Sequence, residues 1–333
     1  MGTSGLLGSG IDMKIGLIDV DGHHFPNLAL MKLSAWHKRQ GDSVEWWWGF
    51  GLYDRVYMSK VFDNTYSPDE PEPLNAAEII KGGTGYGLSN KLPYDVEHMY
   101  PDYSLYPKLT GYGSTIKLQT AYGFLTRGCP RGCPFCIVAG KEGLRSIKVA
   151  NLSEFWNGQG NIELLDPNLL ACSERLSLLK QLEDSRAKVN FSQGLDIRMT
   201  TPEIAIALGR IRVKRLHFAW DNPNDDLRQH FKSFHEWYPR KSSSRKAVYV
   251  LVNYCSTMEE NLYRIYTLQE LGYDPYVMIY DKPNAPREIK RLQRWCNSKF
   301  IFRSCSFEDY ERCQKDKIEN LASPYGQIRM DAM

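Results

Sequence analysis

Cys129, Cys133 and Cys136 place three of the chain's 8 cysteines in one short run, TRGCPRGCPFCIVAG, residues 126–140. The spacing is C-x3-C-x2-C. Three thiols cannot all pair with one another, and Pro130 and Pro134 hinder local bridging, so a disulfide framework does not explain the run. Structural zinc takes four ligands, usually as two separated pairs. Here Cys133 and Cys136 form one such pair, and no matching C-x2-C or H-x3-H follows. Iron–sulfur clusters are held by thiolates on tight loops, normally four for a [4Fe–4S] unit. Three thiolates leave one iron with an open coordination position, and an open position is where a metal site does chemistry. A non-catalytic iron–sulfur or zinc protein is the competing reading from another functional class.

Phe135 stands directly before Cys136. With that aromatic the run resembles the C-x3-C-x-(aromatic)-C motif of the radical S-adenosylmethionine enzymes. The resemblance implies a [4Fe–4S] cluster on Cys129, Cys133 and Cys136 whose fourth iron chelates S-adenosylmethionine. It implies that one electron cleaves that cofactor to a 5′-deoxyadenosyl radical, which abstracts hydrogen from a substrate. It also implies a reductant partner such as flavodoxin or ferredoxin.

The rest of the chain must position that loop. At 333 residues, with 42% hydrophobic and 24% charged residues, it is an ordinary globular chain of two domains or one large barrel with an addition. The opening MGTSGLLGSGIDM has no basic n-region and no long apolar stretch, and residues 1–12 read as an expression scar ahead of a start near Met13. No run of roughly 18 apolar residues suggests a membrane span, and clustered thiols fit a reducing compartment, so a cytoplasmic location is expected. Residues 1–110 carry 9 Lys+Arg against 14 Asp+Glu, which leaves the remainder mildly basic and able to meet an anionic substrate.

After the cysteine run the sequence alternates. β-type runs at 122–126, 161–168, 188–198, 215–223, 247–255 and 274–283 are separated by helical stretches at 169–185, 201–211 and 256–272, and a basic amphipathic helix spans 285–298. Thr201 and Pro202 read as an N-cap and first helical residue, and Gly272 as a helix stop. Such alternation predicts a parallel sheet with right-handed crossovers. The resembled family uses a partial six-stranded (β/α) barrel, with chemistry at the C-terminal strand ends. A fold of class α/β is therefore expected: a Rossmann-like domain over 13–110, a partial barrel over 111–285 and a helical extension over 286–333.

Carried over by position, the resemblance implies cofactor contacts from polar residues at those strand ends. Asp166 would serve the methionine amino group, Asp221 the ribose and Arg198 the carboxylate, with Gln193 nearby and Asn253 and Met278 against the adenine. The family's usual Gly-Gly-Glu is replaced here by Leu164-Leu165-Asp166.

The N-terminal part reads as a small doubly wound sheet, with strands at 14–20, 42–48, 54–62 and 77–83 and a helix at 26–41. GGTGYG, 82–87, follows the last strand and could bring backbone close to a phosphate, although it does not fit G-x-G-x-x-G with a downstream acid. A Rossmann-like domain before such a barrel resembles the layout of cobalamin-binding radical enzymes. Asp21-Gly22-His23 matches the first half of their D-x-H-x-x-G motif, but Pro26 stands where the glycine belongs. Cobalamin is therefore not expected, and a cobalamin-dependent methyltransferase is the alternative within the superfamily. His23, His24, Gly83 and Tyr86 become candidates for a substrate pocket.

Methylthiotransferases share this layout but carry further cysteines in the N-terminal domain, and residues 1–128 contain none. Cys172 and Cys255 read as packed residues. Cys296, Cys305 and Cys313 fall close together near the C-terminus without a C-x2-C pair, so an auxiliary cluster there is the less expected reading. Basic stretches at 210–215, 240–246 and 287–299 are spread over different elements and read as solvated faces before they read as a nucleic-acid track. The substrate class, whether small molecule, peptide or nucleic acid, stays open.

Overall fold

The computed structural model describes residues 12–242 and 246–312; the start of the chain before Asp12 and Cys313 lie outside them. The chain divides into two compact units, Met1–Gln193 with Arg210–Lys214, and Gly194–Gly209 with Arg215–Met333. The fold is α/β, with parallel sheets apart from one two-stranded antiparallel ladder.

The first unit opens with strands β1 (Lys14–Asp19), β2 (Ser43–Trp46), β3 (Tyr53–Ser59) and β4 (Ala76–Gly82), all parallel in the order β2-β1-β3-β4. Alternation sets the two faces. Ile15, Leu17 and Tyr57 pack on Leu30 and Leu33 of the helix Leu28–Gln40, while Ile18, Val20, Val56 and Met58 fill the other side. Asn27 caps that helix by accepting from the Leu30 N–H (3.2 Å), and Gly41 ends it in the left-handed region at φ 98°.

The doubly wound expectation is met only on the first face. The connections from β2 to β3 and from β3 to β4 contain no helix. On that side partly buried Trp47, Ile79 and Tyr86 pack against the cluster instead. Large aromatic side chains supply there the apolar cover that a second helix would bring.

The same unit continues with β5 (Thr120–Gly123), β6 (Thr126–Arg127), β7 (Ile147–Lys148), β8 (Asn161–Leu164) and β9 (Lys188–Phe191). β5, β8 and β9 run parallel as neighbours, with the helix Arg175–Ser185 between β8 and β9 in sequence. β6 and β7 form a small antiparallel ladder, Thr126 opposite Lys148 and Arg127 opposite Ile147, and the three clustered cysteines lie on the excursion between them.

β10 (Arg212–Ala219), which belongs to the second unit from Arg215 on, β11 (Lys246–Val252) and β12 (Asp274–Ile279) are parallel neighbours, with helices Arg228–Trp237 and Met258–Glu270 as crossovers. Thr201 caps the helix Pro202–Arg210 (Ile204 N to Oγ1, 3.3 Å), as its sequence suggests. Thr257 and Glu260 form a reciprocal capping box at the head of the next crossover. The six expected β-runs all contain strands, but five of them overshoot at the C-terminal end. The ladders end at Leu164 opposite Phe191, Ala219 opposite Tyr249 and Val252 opposite Ile279, so Asp166, Gln193, Asp221 and Asn253 fall in the loops that follow.

Arg264, 1% exposed, ties those loops down in the second unit. Its guanidinium donates to the carbonyls of Trp220 (2.7 Å), Asp221 (2.9 Å) and Leu251 (3.0 Å) and to Asn261 Oδ1 (2.6 Å). Burial pulls it down to about 10, which leaves it charged at neutral pH. Replacing it by Met strands three carbonyls and an amide, so Arg264→Met should lose about 3 kcal/mol or more of stability. Urea unfolding reads this directly, and a midpoint within error of the parent would show that the network carries no weight.

Candidate metal centre

The loop that carries the thiols is held at its base by backbone geometry. Gly128 has φ +87°, and a Cβ there would stand 2.0 Å from the Arg145 carbonyl oxygen. Only glycine lets the outgoing and returning strands approach this closely. Glu142 closes the turn, accepting from the Gly128 N–H (3.0 Å) through one oxygen and from Arg127 (2.8 Å) through the other. The Cys129 N–H donates to the Gly143 carbonyl (3.2 Å), and the Cys136 N–H to the Cys133 carbonyl (2.9 Å). Glu142 has no sequence signal beyond its place past the motif, and only the ladder brings it back to Gly128.

Cys129 and Cys133 are half-buried and Cys136 is exposed. Among the described residues no three His, Cys, Asp or Glu side chains converge tightly enough to share one metal ion. A cube cluster makes no such demand, because each thiolate binds its own iron. The donor set fits that group: three soft thiols on one short loop, next to a polar N–H that reaches sulfur. Asn168 Nδ2 donates to Cys129 Sγ at 3.4 Å.

Asp166, at the exit of β8, is buried. Its Oδ1 accepts from the N–H groups of Leu125 (3.1 Å) and Thr126 (2.5 Å) and from the Thr126 hydroxyl (2.7 Å). The side chain proposed to meet the methionine amino group therefore clamps the bend between β5 and β6, which aims the cysteine loop. Burial pushes its carboxyl up to about 6 from an ordinary 3.8, against the pull of those hydrogen bonds. A carboxyl raised in the folded state contributes stability that is fully present below its unfolded pKa and lost as pH rises through about 6. Asp166→Asn removes that loss, so from pH 4 to pH 7 the parent should weaken by about 2 kcal/mol relative to the variant. Parallel urea midpoints at each pH would contradict the assignment.

Gln193 is exposed just beyond β9. In the second unit Arg198 pairs with Asp196 (2.8 Å) and Asp225 (2.8 Å), so its guanidinium is already engaged by two protein carboxylates. Asp221 accepts from the Leu251 N–H (3.2 Å), and burial lifts its carboxyl to about 6. Asn253, at φ +64°, donates to the Tyr280 carbonyl (2.8 Å), and Met278 is exposed on β12. Phe135 lies on the loop between Cys133 and Cys136.

In the N-terminal sheet the substrate-pocket candidates follow two different strands, with β3 between them. His23, at φ +59°, is exposed after β1, its ring edge-on to Trp46 at 4.3 Å and its Nδ1 4.0 Å from Asp19; His24 is also exposed. Asp21 accepts from Val61 N (2.6 Å) and Ser67 Oγ (2.7 Å), stapling the loop after β3. After β4, a Cβ on Gly83 would stand 2.3 Å from the Lys60 carbonyl oxygen and one on Gly85 2.1 Å from that of Phe62. This glycine run approaches protein backbone. Tyr86 donates to Asp69, and Lys60 and Lys81 stand over its ring.

Cys172 and Cys296 are buried, and burial pushes the Cys296 thiol up to about 12; Cys255, read as packed from the sequence, is instead exposed in the loop after β11. Among the described residues no helix is long and apolar enough to cross a membrane.

An α/β chain with three thiols on the loop after a strand and a four-stranded parallel sheet ahead of it is a fold also found among solved structures. The chain superposes on the radical S-adenosylmethionine methyltransferase TsrM from Kitasatospora setae, solved with cobalamin and a [4Fe–4S] cluster bound, with a TM-score of 0.58 and 10% identity over 81% of this chain and 75% of that one. A second structure of TsrM, with tryptophan substrate and the analogue aza-SAM bound, gives 0.56 and 11% identity over 80% and 73%. No family model and no curated protein matches the chain.

Proposed function

We propose that this chain is a radical S-adenosylmethionine enzyme built on a partial six-stranded (β/α) barrel. The observation that carries the reading is the three-thiol loop, braced by Gly128 and Glu142, at the exit of the β5 bend and next to β8. Cys129, Cys133 and Cys136 would hold a [4Fe–4S] cluster, and that group, when bound, supplies the electron that cleaves S-adenosylmethionine to a 5′-deoxyadenosyl radical. The protein's own part is positional. Asp166 fixes the approach of the chain to the loop, Glu142 and Gly128 fix its base, and the polar strand-end residues Gln193, Arg198, Asp221 and Asn253 stand on the loops where this fold gathers ligands. Shielding the site from water keeps the radical for its substrate.

The test is product analysis. With reductant and S-adenosylmethionine the protein should form 5′-deoxyadenosine slowly alone and faster when its substrate is supplied. Deuterium carried from candidate metabolites, peptides or nucleic acids into 5′-deoxyadenosine would name the substrate class. Neither 5′-deoxyadenosine nor S-adenosylhomocysteine would leave the electron-transfer reading in its place.

The fold of TsrM favours a second reading, cobalamin-dependent methyl transfer. Against it stand Pro26 in place of the motif glycine and a glycine turn after β4 that closes on protein backbone. A corrinoid retained through purification, or S-adenosylhomocysteine accumulating without 5′-deoxyadenosine, would favour it.

A further inference from the structure

Asn168 lies beyond β8, 3% exposed, and its side-chain N–H reaches Cys129 Sγ at 3.4 Å across 39 residues of sequence. Turn residues of this type usually bond their own neighbourhood. Here the backbone does that work: the Asn168 carbonyl accepts from Ser146 Oγ (2.8 Å) and from the Ala171 N–H (3.3 Å), and these locks aim the side chain at the thiol. The amide oxygen, Oδ1, is buried with no hydrogen-bond partner. Leaving a buried acceptor unmatched is unfavourable. Turning the amide over would set that oxygen's lone pairs against sulfur. The observed orientation is the one a negatively charged thiolate would select.

The geometry points to Asn168 as a positioning residue that donates to the Cys129 thiolate and raises the reduction potential of the cluster this loop would carry. The inference rests on the radical reading above. Hydrogen bonds to ligand sulfur tune such potentials. Reduction adds negative charge that spreads onto the sulfurs, so an N–H donor favours the reduced state. Because Asn168 is almost fully covered, bulk water does not replace it.

The experiment is an EPR-monitored redox titration of reconstituted parent, Asn168→Leu and Asn168→Asp. Leu removes the donor. Asp keeps the shape and sets a carboxylate against sulfur, so it remains informative if Leu fails to fold, and thermal melting of the iron-free forms checks both. The midpoint should move to more negative potential in each, further for Asp, and iron release to a chelator should quicken by roughly tenfold or more. Unmoved midpoints in loaded variants overturn the inference, as does reduced loading with an unchanged midpoint. A parent that takes up no cluster fails differently: it removes the radical reading, and this inference with it.

Discussion

Cys133→Ala should abolish the cluster. Anaerobically reconstituted parent is expected to hold about four iron and four sulfide, and the variant to lose the broad visible absorption and most of that iron. Cys133 is the middle thiol of the three, so neither remaining neighbour can take its place without refolding the loop. Formation of 5′-deoxyadenosine should fall by more than the ~10–100-fold typical of losing an outer-shell partner, because here a metal ligand itself is gone. The loop is peripheral to the packed core, so the iron-free variant should unfold within about 0.5 kcal/mol of the iron-free parent. One tightly bound zinc and no sulfide in the anaerobically prepared parent would end the radical reading.

Gly128→Ala should be nearly as damaging without touching a ligand. At φ +87° an alanine carries a left-handed penalty of about 1–2 kcal/mol. Its Cβ would also meet the Arg145 carbonyl oxygen at 2.0 Å, an approach that neither backbone segment can relieve separately. Together these should destabilise the loop by about 3 kcal/mol or more, break the Glu142 hydrogen bond and lower the iron that reconstitution can install. Gly132→Ala is the control. Its φ is also positive, at +57°, but the nearest neighbour is the end of the Leu144 side chain at 3.2 Å, which can move. Iron content and melting should rank parent, Gly132→Ala, Gly128→Ala. Equal iron content in the two variants would show that the crossing at Gly128 does not set the loop.

The chemistry of the metal loop was legible because it is local. Three thiols and an aromatic within one turn need no knowledge of the rest of the chain to be read as cluster ligands. Strand and helix alternation is also local, carried by hydrophobic period, by the Thr201 cap and by the stop at Gly272. Strand ends were read too far because the β-type runs continue past the last ladder pair into Asp166, Asp221 and Asn253, and pairing with the neighbouring strand decides where a ladder stops.

What a polar residue at such an end does depends on partners far away in sequence. Asp166 turned out to face Leu125 and Thr126, Arg198 to reach Asp225, and Gly83 to press on Lys60, each a contact that spacing along the chain does not encode. The helix missing between β3 and β4 has the same cause, since aromatic side chains from separate loops cover that face instead. By itself the sequence determined the spacing of the three clustered thiols, the α/β class and the Thr201 cap, all properties of residues within a few positions of one another. Only the tertiary structure decided that Gly128 crosses Arg145, that Asp166 steers the loop and that Asn168 meets Cys129. Those contacts join segments 17 to 41 residues apart, and they form only when the parallel strands β5 and β8 and the antiparallel pair β6 and β7 bring their ends together.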